Sequence, residues 1–122
     1  MKKAMIATSL TMVLVSALAG QVSAQDIGGR YSVEGTNLDG SPYRGTADVR
    51  LISETSCTIV WQTGDTTSQG ICMRSGGVFA ASYRLGDSVG MVIYRVEGDG
   101  SLHGAWTIAG VDGSGTEILT PQ

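Results

Sequence analysis

Apolar and polar side chains alternate along the last third of the chain, and the alternation can be followed through a turn. Suppose Gly98-Asp99-Gly100 is a three-residue hairpin loop with Gly100 in the left-handed conformation. Val96 then faces Leu102, Tyr94 faces Gly104 and Val92 faces Trp106. These apolar residues share one face of the sheet, while Arg95, Glu97 and His103 fall on the other. A two-residue turn would set Arg95 beside Gly104 and split the apolar set, so the hydrophobic pattern selects the longer loop. Glycine opposite Tyr94 leaves room for the ring to lie across the sheet.

Turn signals recur at Asp39-Gly40-Ser41, Ser53-Glu54-Thr55, Gly64-Asp65, Ser75-Gly76-Gly77, Gly86-Asp87, Gly98-Asp99-Gly100 and Asp112-Gly113. Their spacing of about ten to fourteen residues marks an all-β sandwich or barrel. Strands are predicted to begin near Arg30, Tyr43, Cys57, Thr67, Val78, Val89, Leu102 and Thr116. The 18 glycines of the chain oppose long helices. So many meandering strands in so short a chain close on themselves, because closure removes exposed edges. The prediction is a small eight-stranded antiparallel up-and-down barrel, with Thr116 to Leu119 pairing with Arg30 to Gly35. A barrel of this size is filled by side chains or holds one small ligand. An internal echo, Tyr31-Ser32-Val33-Glu34-Gly35 with Asp39-Gly40-Ser41 against Tyr94-Arg95-Val96-Glu97-Gly98 with Asp99-Gly100-Ser101, reads as a duplication or as similar hairpins using similar residues.

The first residues follow another pattern. Lys2 and Lys3 precede an apolar run from Ala4 to Gly20, and Val22-Ser23-Ala24 offers a cleavage site. This predicts a secretory signal peptide over 1–24 and a single barrel domain over 25–122, in the periplasm or outside the cell. The alternative is an N-terminal anchor, although the run is near the lower limit for crossing a bilayer. No cysteine follows Leu18-Ala19-Gly20, so a lipid anchor is not expected. After cleavage no membrane span is expected, and the strands are too short and polar for an outer-membrane barrel. The net charge is −3 with both lysines counted, and both lie in the leader. The barrel is therefore more acidic still, which argues against nucleic acid and anionic membranes as partners.

Cys57 and Cys72 are the only cysteines, and in an exported chain a disulfide is the default. Pairing about Gly64-Asp65 sets them opposite each other. With a four-residue loop closed by Gln62 and Thr67, they form a non-hydrogen-bonded pair, the close-approach kind. Two cysteines and the lone His103 cannot complete a four-ligand zinc site, and the spacing is far from Cys-x-x-Cys. No metal and no cofactor is expected.

No residue is assigned a catalytic role. His103 beside a carboxylate and a serine could act as a base, but its outward register places it in solvent. Glu117 could orient a ligand, form an ion pair or sit exposed. Trp61, Tyr83, Tyr94 and Trp106 line a ligand pocket or pack the core. The Asp-Gly clusters lack the alternating oxygen ligands of a calcium loop and are turn chemistry.

The segments Gly29 to Asn37, Asp39 to Tyr43, Trp61 to Gly64, Gly70 to Arg74, Val92 to Tyr94, Gly104 to Ile108 and Gly115 to Glu117 resemble a family of small exported alphaproteobacterial proteins often labelled fibronectin-binding proteins. The resemblance implies an extracellular-matrix protein partner, fibronectin, and supplies no binding residues. The expectation is an exported, non-catalytic binding protein, adhesin-like. The alternatives are a periplasmic inhibitor of a protease or lysozyme and a small-ligand-binding barrel.

Overall fold

The computed structural model describes residues 27–122. The predicted signal peptide lies outside the described residues. Eight strands follow in order: β1 Gly29–Thr36, β2 Pro42–Leu51, β3 Ser56–Thr63, β4 Thr66–Ser75, β5 Val78–Leu85, β6 Ser88–Val96, β7 Leu102–Ile108 and β8 Gly115–Pro121. Each begins within one residue of its predicted start. All pairs are antiparallel neighbours in sequence, and β8 returns to β1 through Tyr31↔Pro121 to Thr36↔Thr116. The sheet is a closed barrel. Closure leaves no strand edge unpaired, which a sheet of short strands needs.

The register between β6 and β7 is the predicted one, with Val96↔Leu102, Tyr94↔Gly104 and Val92↔Trp106. The loop closes through Glu97 N–H to Ser101 O at 2.9 Å and Gly100 N–H to Glu97 O at 3.0 Å, with Gly100 at φ 86°. The β1–β2 turn repeats this geometry through Asn37 and Ser41, with Gly40 also at φ 86°. Asp39 and Asp99 each accept from the N–H and the hydroxyl of the serine two residues on, at 2.9 and 2.6 Å in both turns. These bonds hold both aspartates below the usual carboxylate range. The echo is thus a true repeat of turn structure. It does not extend in register into the strands, since Tyr94 lies nearer its turn than Tyr31 does.

One detail differs from expectation. Pairing between β3 and β4 continues to Thr63↔Thr66, leaving a two-residue Gly64-Asp65 turn with Gly64 at φ 59°. Glycine at the first central position gives the mirror-image turn that matches strand twist. Shortening the loop reverses the ladder parity, so Cys57↔Cys72 is of the hydrogen-bonded kind, like Thr55 and Arg74 farther along, where Arg74 N–H donates to Thr55 O at 2.9 Å. The disulfide itself joins Cys57 and Cys72, with a Cα separation of 4.9 Å.

Alternation carries one face of each strand inward, as in β5 (Phe79, Ala81, Tyr83) and β6 (Val92, Tyr94). One half of the barrel is packed solid by Val33, Ile59, Phe79, Tyr94, Leu102 and Leu119, with Phe79 stacked on Tyr94 at 5.5 Å and 23°. The disulfide belongs to this half.

Candidate functional site

The other half is open. The turns β1–β2, β3–β4, β5–β6 and β7–β8 all lie at one end, and each of these hairpins sends one aromatic ring inward just below its turn. These are Tyr43, Trp61, Tyr83 and Trp106, and they wall a cavity of about 590 Å³. Val92 and Glu117 also line it, and Arg44, Asp65 and Ser68 lie toward the rim. The volume is within the range of small-molecule sites.

Glycines make room for the rings. Tyr43 lies opposite Gly35, Tyr83 opposite Gly90, Tyr94 opposite Gly104 and Trp106 opposite Gly115. At each of these glycines a Cβ would overlap the facing ring. The ring therefore lies over bare backbone on the neighbouring strand, which fixes its tilt. Edge-on contacts lock the walls in pairs, Tyr43 with Trp106 at 6.3 Å and Trp61 with Tyr83 at 5.4 Å.

At the floor stands Glu117, 6% exposed. Its Oε1 accepts from the Tyr43 hydroxyl at 2.9 Å. Its Oε2 accepts from Trp61 Nε1 at 3.2 Å and from the Tyr94 hydroxyl. Trp61 Nε1 also leans to the Tyr94 oxygen at 3.3 Å. Burial raises the Glu117 pKa above the usual carboxylate range, against the pull of its three donors. Burial and the adjacent carboxylate push Tyr43 and Tyr94 well above the ordinary phenol value, and Tyr83 up to about 12. Among the described residues no ion pair reaches Glu117; the three present join Arg30 to Asp48, Arg44 to Glu34 and Arg95 to Glu97. Trp106 Nε1 is buried without a hydrogen bond, although it approaches the Tyr43 hydroxyl closely enough to favour its phenolate.

Of the residues singled out in the sequence, Trp61, Tyr83, Trp106 and Glu117 meet at the cavity. Tyr94 sits beneath it in the packed core and reaches Glu117 by its hydroxyl. Tyr43 was missed. The signal was present: Tyr43, Gly45, Ala47 and Val49 alternate inward on β2, and Tyr43 faces a glycine as Tyr94 does.

His103 does meet a serine and a carboxylate. Its Nε2 lies 3.1 Å from Ser101 Oγ, which donates to Asp99 at 2.6 Å. The serine proton is committed to the aspartate, so the histidine cannot accept it. The twin turn at Asp39 and Ser41 forms the same bonds with no histidine. The cluster is turn structure on a half-buried outer face, not a nucleophile and base. Among the described residues no three metal-ligating side chains gather, and no helix is long and apolar enough to cross a membrane.

No family model matches the chain, and no curated protein matches it. Solved structures do. A redesigned β-barrel superposes with TM-score 0.70 at 18% identity, over 81% of this chain and 94% of that one. A redesigned β-barrel bound to DFHBI gives 0.69 at 21% identity, over 80% and 96%. A fatty acid transporter, REP1-NXSQ, gives 0.54 at 14% identity, over 80% and 96%. At these identities the likeness is one of fold.

Proposed function

We propose that this protein is an exported, non-catalytic binder that takes one small ligand into the open end of its barrel. One observation carries the reading: beside its packed half the barrel holds a cavity of about 590 Å³ walled by one aromatic ring from each of four hairpins. Two of the solved neighbours support it, one bound to DFHBI and one a fatty acid transporter. The disulfide suits an oxidising compartment. Both tryptophans border the cavity, so their emission reports occupancy. Titration of a panel of small aromatic compounds should give saturable emission changes. Ser68→Phe, which fills the cavity opposite Trp61, should abolish them while the melting temperature holds. Equal binding by that folded variant would sink the proposal.

A second reading has its own observation. The outer face of β4, β5 and β6 exposes Ile71, Met73, Met91 and Ile93, with Ile71 and Met73 of β4 and Met91 and Ile93 of β6 flanking Ser82 and Ala80 of β5. Exposed apolar patches mark protein contact sites. A matrix protein such as fibronectin, or a hydrolase, would dock there. Surface plasmon resonance against fibronectin and lysozyme tests it, and Ile71→Lys with Ile93→Lys should remove any signal; binding that survives both changes would count against this face.

A further inference from the structure

We propose that the ligand of the cavity is a protonated amine, a small organic cation whose N–H group donates to Glu117 Oε1 while its body lies against the four aromatic walls. This rests on the cavity being a binding site and adds the charge and chemistry of what fills it.

The argument starts from an imbalance. Glu117 is a nearly buried carboxylate whose partners are three neutral donors, and among the described residues no cation pairs with it. Burying a charge without a counter-ion is costly. An ionised carboxylate offers about four acceptor positions. Oε2 takes two protein donors and Oε1 only the Tyr43 hydroxyl, so Oε1 has capacity for one more on the cavity floor.

The walls agree with the floor. Tyr43, Trp61, Tyr83 and Trp106 surround the same space, and aromatic faces attract cations. Arg44 at the rim is already engaged with Glu34 at 3.3 Å, while Asp65 adds a negative charge there. A carboxylate ligand set deep in the cavity would meet Glu117 head-on. A neutral apolar ligand would leave it uncompensated. A primary or secondary ammonium fits better than a quaternary one, because Oε1 needs an N–H donor.

The test compares three compounds of one shape by tryptophan emission and calorimetry: phenethylamine, phenethyl alcohol and hydrocinnamate. The amine should bind roughly tenfold or more tightly than the alcohol, as a charge-assisted hydrogen bond implies, and hydrocinnamate weakest. Glu117→Gln should remove the preference. Should that variant fail to fold, the wild-type protein carries the test through pH. The groups facing Glu117 are Tyr94 from β6, Tyr43 from β2 and Tyr83 from β5, with Asp65 and Arg44 at the rim. The tyrosines stay protonated throughout the acid range, so affinity for the amine should fall as Glu117 takes up a proton, and Asp65→Asn should keep that fall. Equal affinity for amine and alcohol, or tighter binding of hydrocinnamate, overturns the cation and leaves the cavity reading standing. Failure of all three, together with the wider aromatic panel, overturns both.

Discussion

At the scale of single residues, Glu117 and its donors set the chemistry. Tyr94→Phe removes one of three donors from a buried carboxylate. It should cost about 1–3 kcal/mol in denaturant unfolding, the usual penalty for an under-satisfied buried group. Glu117 and the tyrosines also tie stability to pH. The folded pKa of Glu117 is raised, so its contribution is full below the ordinary carboxylate range and is lost as pH rises through the folded value. Urea unfolding of the unliganded protein should show stability falling as pH rises above the ordinary carboxylate range, and Glu117→Gln should flatten that fall. The tyrosines act in the same direction at the alkaline end. Their hydroxyls titrate near 10 in the unfolded chain, while Tyr83 holds its proton to about 12 and Tyr43 and Tyr94 hold theirs longer. Stability is present below pH 10 and drains away above it. A tyrosinate absorbance titration should show the late-ionising groups appearing only with unfolding; normal titration of all of them in the folded protein would contradict their burial.

At the scale of elements, the hairpin is the unit. Its turn residues are local chemistry, so turn positions are legible without the fold, but turn length is not: Gly64-Asp65, expected at the centre of a four-residue loop, is itself the turn, opened by Gly64 at φ 59° as Gly76 and Gly86 open theirs at 58° and 59°. Strand starts, barrel closure and the β6–β7 register follow from such turns plus alternation. What could not be read was which inward aromatics fill space and which border it. Trp106 and Tyr94 both point inward on neighbouring strands, yet one lines the cavity and the other is packed beneath it. That depends on height along the barrel axis, set by strand tilt and stagger rather than by alternation. Likewise the sequence left Glu117 inward, ion-paired or exposed; the fold buries it with no ion pair among the described residues, on donors from β2, β3 and β6. The ring-over-glycine pairs give a sharp test. Gly115→Ala would drive a methyl into the Trp106 ring and should cost about 1–3 kcal/mol while shifting tryptophan emission. Trp106→Ala should cost more than His103→Ala, which touches only an outer face and the Ser101 hydroxyl. Equal losses in thermal unfolding would undo that placement.

At the scale of the whole molecule, the barrel divides into a stapled, filled half and an open half. The disulfide closes a segment with sequence separation 15, worth roughly 3 kcal/mol in the chain-entropy model. Replacing both cysteines by alanine should lower the melting temperature yet leave ligand affinity within about twofold, because the bridge sits in the filled half and, of the four wall rings, Trp61 alone shares its hairpin. A large loss of affinity would mean the two halves are coupled. The up-and-down path has one more outcome. β1 runs toward the mouth and β8 runs away from it, so Ile27 and Gln122 leave the barrel at the filled end, where Gln122 N–H bonds to Arg30 O at 3.0 Å. Whatever is joined to Gln122, a bead, a surface or a second protein, therefore stands behind the barrel with the aromatic mouth turned outward, ready for use as an immobilised sensor.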